Sequence, residues 1–336
     1  MPSTAYRFLG RSGLQVSRLC VGTMMFGGAT DRATAHRIIA SARAEGVNFI
    51  DTADVYNRGE SEVVTGAAIR DDRDDWVLAT KLGSPMGHGP NDRGQSRKWI
   101  MASVESSLRR LGTDYIDILY LHRSFDDATL PEAVRALGDL IRQGKLRYFG
   151  VSNFSGWRLG LACQLADELG LDRPVASQPV YSVVERSAER ELIPAARHYG
   201  VGVVSYSPLA RGVLTGKYEA GAAPDPASRA GRGDPRMLQT EFRQDSLVVA
   251  ERLAVHAASK GKKLADFALG WVLANPAISS VIVGPRTFEQ WEAYLASAQT
   301  RIDGADEAVV DELVSPGHPS TPGYNDPAYP VEGRIA

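Results

Sequence analysis

Eight apolar runs of strand length recur along the 336 residues of this chain, and they constrain its fold more than any other feature. Each run is apolar at successive positions rather than at alternate ones, which is typical of parallel strands covered on both faces. Segments with a helical repeat of apolar residues lie between the runs, for example at 99–111 and 132–141. The runs lie at 19–22, 47–50, 76–80, 116–121, 146–151, 175–179, 201–206 and 280–283.

The alternation of strand and helix predicts an α/β protein with a closed (β/α)8 barrel of the TIM type. An open doubly wound sheet is the alternative, but such sheets carry G-x-G-x-x-G after the first strand, and here the first run leads into TMMFGG. We also expect an N-terminal β-hairpin over residues 5–18, a long loop at 216–243 after the seventh strand, and an extended C-terminal tail after Val314. A barrel with insertions accounts for the length, so we expect one domain over residues 1–336.

Composition excludes several classes of partner. The 38 Lys and Arg residues nearly balance 40 Asp and Glu residues, so the net charge of −2 favours neither nucleic acid nor a membrane surface. The two cysteines, Cys20 and Cys163, argue against a disulfide framework, and no signal peptide or membrane-spanning stretch is evident, so we expect a cytoplasmic protein. The histidines show neither H-x-H nor H-E-x-x-H spacing, so no metal is expected; the oligomeric state is not determined.

Four residues suited to proton transfer lie at the ends of three consecutive runs. Asp51 and Tyr56 follow the second run, Lys81 follows the third, and His122 follows the fourth. Each alone is more typical of a loop ion pair or a helix cap. Together they indicate a catalytic site, because the carboxyl ends of barrel strands meet at one rim.

Their chemistry fits proton delivery to a carbonyl oxygen. A tyrosine hydroxyl has an ordinary pKa near about 10, so it is a useful acid at neutral pH only if a neighbour stabilises its phenolate. The ammonium of Lys81 can do this for Tyr56, and Asp51 can keep Lys81 charged and in place. His122 can donate a hydrogen bond to a substrate oxygen.

The residues that carry this chemistry also carry a family resemblance. The motifs are FIDTADVY at 49–56 with GESE at 59–62, ATK at 79–81, DILYLH at 117–122, GVSNF at 150–154, Gln178, and YSPLARGVLTGKY at 206–218. This series resembles the aldo-keto reductases, whose tetrad is Asp, Tyr, Lys and His, and all four match. The resemblance covers almost the whole chain. It implies reversible NAD(P)H-dependent reduction of an aldehyde or ketone to the alcohol.

The resemblance also implies how a nicotinamide cofactor binds. Ser152, Asn153 and Gln178 would hold the carboxamide, and Tyr206 would stack on the ring. The segment after Tyr206 would surround the pyrophosphate. Arg286 suits a ribose 2′-phosphate, so NADPH (NADP+) is favoured, and NADH is possible but less favoured. The expected cofactor-binding residues are Gly22, Thr23, Met24, Asp51, Ser152, Asn153, Gln178, Tyr206, Ser207, Pro208, Leu209, Gly212, Leu214, Lys217, Gly284, Arg286 and Gln290.

The substrate is less constrained than the reaction. A small-molecule carbonyl compound is expected, and sugars, small aromatic carbonyls and aliphatic carbonyls all fit. Arg123 favours a hydroxylated or anionic substrate, or else pairs with Asp126 or Asp127. Some relatives within this fold resemble regulatory subunits that bind the cofactor and act through protein partners, which is the alternative function. The expected substrate contacts are Met25, Phe26, Tyr56, His122 and Arg123.

Overall fold

Eight parallel strands close into a barrel in the computed structural model, which describes residues 5–125 and 127–330. Each barrel strand pairs with the next one along the chain, and the eighth pairs with both the seventh and the first. The predicted (β/α)8 barrel is therefore confirmed. The barrel strands are β3 (Leu19–Gly22), β4 (Phe49–Asp51), β5 (Val77–Leu82), β6 (Ile116–Leu121), β7 (Leu146–Ser152), β8 (Ala176–Gln178), β9 (Gly202–Ser205) and β10 (Ile278–Val283).

Helices follow the barrel strands, as the alternating pattern predicts. Several begin at side-chain caps; the carboxylate of Asp31, for instance, accepts a hydrogen bond from the first turn of α1. The helices are α1 (Arg32–Ala44), α2 (Glu60–Ala68), α3 (Arg97–Leu111), α4 (Leu130–Arg142), α5 (Gly156–Glu168), α6 (Leu192–Tyr199), α7 (Pro235–Gln239), α8 (Gln244–Ser259), α9 (Leu264–Ala274), α10 (Phe288–Ser297) and α11 (Gly304–Leu313).

Every predicted run overlaps an observed barrel strand, and the bounds differ by two residues or fewer. The differences matter at two catalytic candidates. Asp51 and Lys81 were expected just after their strands, but they lie within β4 and β5, where Asp51 is in register with Ala79 and Lys81 with Tyr120. The pairing continues past the apolar residues because the backbone still finds partners on the neighbouring strand. Both side chains are therefore held by regular sheet.

The strands are apolar because both of their faces are covered. All six residues of β5 are buried, and so are all six of β10. Cys20, Phe49 and Tyr120 contribute to one cluster of side chains that fills the barrel interior, with Tyr206 packed against it. This two-sided burial explains why the runs lack the alternation of a half-exposed sheet.

An antiparallel hairpin of β1 (Tyr6–Phe8) and β2 (Gln15–Ser17) closes the amino-terminal end of the barrel. Leu9 and Val16 belong to the same interior cluster as the barrel side chains. At the turn, Gly10 has a φ of +61°, and a Cβ there would lie 2.4 Å from the carbonyl oxygen of Gly200. The predicted hairpin is confirmed, and its turn requires glycine both for conformation and for space.

The described residues form two compact units. The first contains the whole barrel and consists of the described residues up to 179 together with 192–206 and 277–293. The second consists of 180–191, 207–276 and the described residues from 294 onwards, and it holds α7, α8, α9 and α11. That one domain spans residues 1–336 stays a prediction.

The segment 216–243 was predicted to be a loop without a helix, and this was wrong in one place. It contains α7, where the side chain of Asp234 accepts a hydrogen bond from the backbone N–H of Met237 and Pro235 occupies the first turn. An Asp–Pro pair is a helix-start signal. It was missed because a helix of five residues shows no periodicity.

The C-terminal tail contacts other parts of the second unit. The carboxylate of Asp326 forms an ion pair with Arg236 of α7, and the ring of Tyr324 lies 3.7 Å from the guanidinium carbon of Arg243. Pro319 forms an isolated antiparallel bridge with Glu185. The described part of the tail, residues 315–330, contains turns and no helix or strand.

The state of the cysteines and the character of the helices bear on the class of protein. Cys20 and Cys163 are both buried and form no disulfide. Within residues 5–125 and 127–330, no helix combines the length and the apolar character needed to cross a bilayer.

Candidate active site

The structure brings the four proton-transfer candidates together at the carboxyl rim of the barrel. Asp51 ends β4, Lys81 is the second-last residue of β5, and His122 directly follows β6. Tyr56 begins a short 3-10 helix five residues beyond Asp51. Because the three strands are adjacent and parallel, their ends converge on the same place.

The ammonium of Lys81 is the centre of this arrangement. It donates to the carboxylate of Asp51, to the backbone oxygen of Thr52 at 2.8 Å, and to the hydroxyl oxygen of Tyr56 at 3.3 Å. A lysine ammonium has three N–H donors, and these three acceptors use all of them. The phenol oxygen thus receives a hydrogen bond from a fixed cation.

The ion pair of Lys81 and Asp51 is almost completely buried. The exposed fraction is 1% for Lys81 and 2% for Asp51. Burial lowers the pKa of Lys81, but the charge of Asp51 and the contact with Tyr56 outweigh it, so the pKa lies above its ordinary value. Burial raises the pKa of Asp51, against the opposing effects of Lys81 and of the Gln178 amide, which donates to Asp51 at 2.9 Å. We conclude that Lys81 is charged at neutral pH.

His122 is the neutral member of the set. Burial, followed by the positive charges of Lys81 and Arg123, lowers the pKa of its imidazole to about 3. Its ring centroid lies 6.0 Å from that of Tyr56, with the ring planes at 80°. Nδ1 is buried and has no hydrogen-bond partner among the described residues. A neutral imidazole has one N–H, so His122 can donate a single hydrogen bond to a substrate oxygen.

Ser152, Asn153, Gln178 and Tyr206 lie beside the tetrad, at the ends of β7, β8 and β9. Asn153 adopts a left-handed φ of +59°; its amide donates to the backbone oxygen of His122 at 2.9 Å, and its oxygen accepts from the hydroxyl of Tyr206 at 2.7 Å. Ser152 donates to the backbone oxygen of Gln178. These bonds fix an amide-rich wall next to an aromatic ring, and this donor set fits a nicotinamide carboxamide and ring.

The expected phosphate-binding segment lies in the second unit and has an unusual backbone. Ser207, Arg211 and Gly212 all have positive φ, and a short 3-10 helix covers Ala210–Thr215. A Cβ on Gly212 would lie 3.0 Å from Nζ of Lys217, so the ammonium occupies the space beside the glycine backbone. A glycine next to an exposed lysine suits a phosphate group. Leu214 is fully buried, so its contact with the cofactor stays a prediction.

The remaining expected cofactor residues follow β10 or β3. Arg286 is exposed, and the structure shows no ion pair of its guanidinium within the described ranges 5–125 and 127–330. Its backbone N–H donates to the side-chain oxygen of Gln290, and its backbone oxygen accepts from Thr30 at 2.8 Å. The loop between β10 and α10 is therefore held through the backbone of Arg286, and the guanidinium takes no part in these bonds. Gly284 lies close to Gly22, since a Cβ on Gly284 would be 3.9 Å from the Gly22 oxygen.

Two of the residues predicted to contact a ligand are fully buried in the loop after β3. Phe26 has none of its surface exposed. Thr23 is also fully buried, and its hydroxyl lies 3.0 Å from that of Ser61 in α2. The contact of Phe26 with substrate and that of Thr23 with cofactor stay predictions. Met24 is exposed and Met25 is half-buried, so both have surface available to a ligand.

Several residues that position the site were not singled out in the sequence. Asn57 has a positive φ and donates to the backbone oxygens of Met24 and Phe26, which holds the loop after β3 beside Tyr56. Gln95 is nearly fully buried and donates to the backbone oxygen of Arg123 at 2.7 Å. An asparagine directly after the catalytic tyrosine was a usable signal, because asparagine tolerates left-handed backbone.

The predicted pairing of Arg123 with Asp126 or Asp127 stays a prediction. Asp126 and the side chain of Asp127 lie outside the part of the chain that the structure describes. The guanidinium of Arg123 lies 5.4 Å from the ring centroid of Phe125, and that ring packs on Gly83 beside the end of β5. Arg123 is thus close enough to His122 for its charge to lower the imidazole pKa.

Comparison with known proteins agrees with this geometry. A model of the Aldo/keto reductase family matches residues 18–315. The chain belongs to the aldo/keto reductase family. Family members use a nicotinamide nucleotide, and the wall of amides and the buried tetrad described above are consistent with this.

Relatives within the family are named for different roles. The chain is 40% identical to an uncharacterized oxidoreductase, YrpG, of Bacillus subtilis (strain 168) over 310 residues, which cover 89% of this chain and 92% of the relative. It is also 40% identical over 286 residues to a probable voltage-gated potassium channel subunit beta of Arabidopsis thaliana, covering 83% and 86%. A putative subunit of the same kind from Schizosaccharomyces pombe is 36% identical over 298 residues, covering 85% of each chain. Membership thus supports an oxidoreductase without naming a substrate.

Proposed function

We propose that this protein catalyses the reversible NADPH-dependent reduction of an aldehyde or ketone to the alcohol. One observation carries the proposal: the buried ammonium of Lys81 bonds both the carboxylate of Asp51 and the hydroxyl oxygen of Tyr56. A phenol held by a fixed cation is suited to donate a proton at neutral pH. If the ion pair of Lys81 and Asp51 were only structural, it would not require the contact with the hydroxyl of Tyr56.

The residues of the site have distinct roles in this reaction. The chemistry that NADPH would supply when bound is a hydride for the carbonyl carbon. Tyr56 gives its proton to the carbonyl oxygen, and Lys81 stabilises the phenolate that remains. His122, neutral and close to Tyr56, orients the carbonyl oxygen with its N–H. Asp51 keeps Lys81 charged and in place.

We assign cofactor recognition to three groups of residues. Ser152, Asn153 and Gln178 bind the carboxamide, with Tyr206 against the ring. Gly212 and Lys217 bind the pyrophosphate. The exposed guanidinium of Arg286 binds the ribose 2′-phosphate through two hydrogen bonds, which is why NADPH is preferred over NADH. The remaining proposed cofactor contacts are Gly22, Thr23, Met24, Asp51, Ser207, Pro208, Leu209, Leu214, Gly284 and Gln290.

The proposed substrate is a small carbonyl compound that enters beside Tyr56 and His122. Met25 supplies apolar surface and Arg123 supplies positive charge close to the imidazole. We propose activity in the cytoplasm, with no nucleic acid or membrane partner.

Turnover of NADPH with a panel of aldehydes and ketones tests the reaction. Replacing Tyr56 by Phe should lower kcat by at least about 100-fold while leaving the Kd for NADPH nearly unchanged, because only the acid is lost. Tyr115→Phe, just before the amino end of β6, is the matched control and should keep full activity. Undiminished turnover by Tyr56→Phe would refute the assignment.

The choice of nucleotide has its own test. Arg286→Ala should raise KM for NADPH at least about tenfold and leave KM for NADH within about twofold, since a charge-assisted bidentate contact to phosphate is lost. Equal changes for both nucleotides would show that Arg286 does not bind the 2′-phosphate.

A second candidate function follows from two relatives that are named as probable or putative voltage-gated potassium channel beta subunits. In that case the protein would bind the cofactor and act through a protein partner. Tight NADPH binding with no oxidation by any member of a broad carbonyl panel would favour it. Turnover that depends on Tyr56 would favour the enzyme.

A further inference from the structure

Two acidic side chains lie buried next to the tetrad and take no part in the chemistry above. Asp54, between Asp51 and Tyr56 in the chain, and Glu62 of α2 are both fully buried. Arg110 of α3 donates to Glu62 at 2.6 Å and is the guanidinium whose charge acts on Asp54. One arginine thus compensates two carboxyl groups.

This buried pair is tied to the backbone of the catalytic residues. The backbone N–H of Asp54 donates to the backbone oxygen of Lys81 at 3.1 Å. The hydroxyl of Thr80, directly before Lys81, donates to Glu62 at 2.6 Å. On the α3 side, Ser103 donates to one carboxyl oxygen of Asp54 at 3.1 Å. The segment that ends in Tyr56 is therefore attached to β5 on one side and to α3 on the other.

The bonding of Asp54 is incomplete in a way that points to its protonation state. Its other oxygen, Oδ1, is buried and has no hydrogen-bond partner among the described residues. A buried carboxylate without a full set of donors is costly, whereas a neutral carboxyl is tolerated far better. Burial, and then the charge of Glu62, raise the pKa of Asp54 to about 7.

Charged groups act on Asp54 from two neighbouring helices, α2 and α3. Glu62 on α2 opposes its ionisation, and Arg110 and Ser103 on α3 favour it. The backbone N–H of Val55, in its own segment, also favours ionisation. On β5, the contact is with the backbone oxygen of Lys81, which carries no charge.

We propose that Asp54 is a positioning residue that must be protonated to hold Tyr56 at Lys81, so that loss of its proton lowers turnover. When Asp54 ionises, two buried negative groups share one arginine and repel each other, and the segment between Asp51 and Tyr56 moves off β5. The inference rests on the proposed reductase function. It adds a pH-sensitive element outside the substrate pocket.

The pH profile of kcat, measured with saturating NADPH, tests this inference. If only the protonated form turns over, kcat falls about tenfold between about pH 6 and about pH 8 for a group that titrates near 7. Asp54→Asn copies the neutral carboxyl, so its kcat should change by less than about twofold over the same range. Asp172→Asn, an exposed aspartate, is the control and should keep the wild-type profile.

A second variant protects the test against a failure of Asp54→Asn to fold. Ser103→Ala removes a hydroxyl that lowers the pKa of Asp54, so the midpoint of the kcat profile should move to higher pH. A midpoint that does not move in Ser103→Ala, or a wild-type fall that persists in Asp54→Asn, overturns the proposal. In either result the titrating group would belong to the tetrad or the cofactor.

Thermal unfolding separates this proposal from the function on which it rests. The pKa of Asp54 is raised on folding, so its contribution to stability is full below the unfolded pKa and is lost as pH rises towards the folded value. The Tm of the wild type should therefore fall between about pH 5 and pH 8 more than that of Asp54→Asn. A parallel dependence in the two proteins overturns the proposal even if no carbonyl substrate is turned over. Absence of turnover by the wild type counts against the reductase function alone.

Discussion

The buried ion pair of Lys81 and Asp51 can be tested by removing one charge and then both. Lys81→Met keeps most of the side-chain volume but leaves Asp51 buried without its cation. Breaking a buried pair in this way costs about 3–5 kcal/mol, because the remaining charge has lost its partner. Removing both charges with the double variant Asp51→Asn, Lys81→Met should restore most of that stability, since no buried charge remains. Neither protein should turn over carbonyl substrate.

Urea unfolding gives the free energies. The loss in Lys81→Met should shrink as pH falls, because burial already raises the pKa of Asp51 and the carboxyl becomes neutral when its cation is gone. Lys145→Met is the control: its ion pair with Glu105 is partly exposed, so the loss should be no more than about 1 kcal/mol. Equal stability of Lys81→Met and Lys145→Met, or a loss that is independent of pH, would refute a charged pair in the barrel.

Three further predictions concern the rest of the site. His122 should stay neutral from about pH 5 to pH 8, because its pKa is lowered to about 3; nitrogen-15 NMR checks this, and a midpoint near the ordinary value would contradict it. Gly212→Ala should raise the Kd for NADPH at least about tenfold, since a Cβ meets the Lys217 ammonium and the backbone φ is +104°; an unchanged Kd in a fluorescence titration would exclude the pyrophosphate site. Arg123→Met should lower kcat/KM for 4-carboxybenzaldehyde at least about tenfold relative to its neutral methyl ester, and the exposed Arg135→Met should not; equal ratios would show that Arg123 does not bind the anionic group.

The barrel and the tetrad could be predicted because their signals are local. Apolar runs specify parallel strands, and strand order then places the ends of β4, β5 and β6 side by side. Asp51, Lys81 and His122 needed no further information to be brought to one rim. Their chemical types then indicated proton transfer. The residues of the nicotinamide wall depended more on family resemblance, since amides at strand ends also serve as loop caps.

What could not be predicted depends on packing between elements distant in the chain. Phe26 lies in a loop, and nothing local in the sequence shows that it is fully buried. Glu62 and Arg110 are charged residues on two helices, and nothing local shows that Glu62 is fully buried. The short helix α7 begins at an Asp–Pro pair but is too brief for a periodic signal.

The alternation of side chains along β5 explains how catalysis and stability are joined in this protein. Successive residues of a strand point to opposite faces, so Lys81 faces the barrel interior while Thr80 faces the helices. Lys81 bonds Asp51 and Tyr56 on the inside, and Thr80 bonds Glu62 on the outside. A slip of one residue in the pairing of β5 would exchange these two faces and destroy both networks. The backbone N–H of Asp54 donates to the backbone oxygen of Lys81, so Asp54 is linked directly to the residue that holds the catalytic phenol. In the mechanism proposed above, a negative charge on Asp54 therefore acts on Lys81 from outside the substrate pocket.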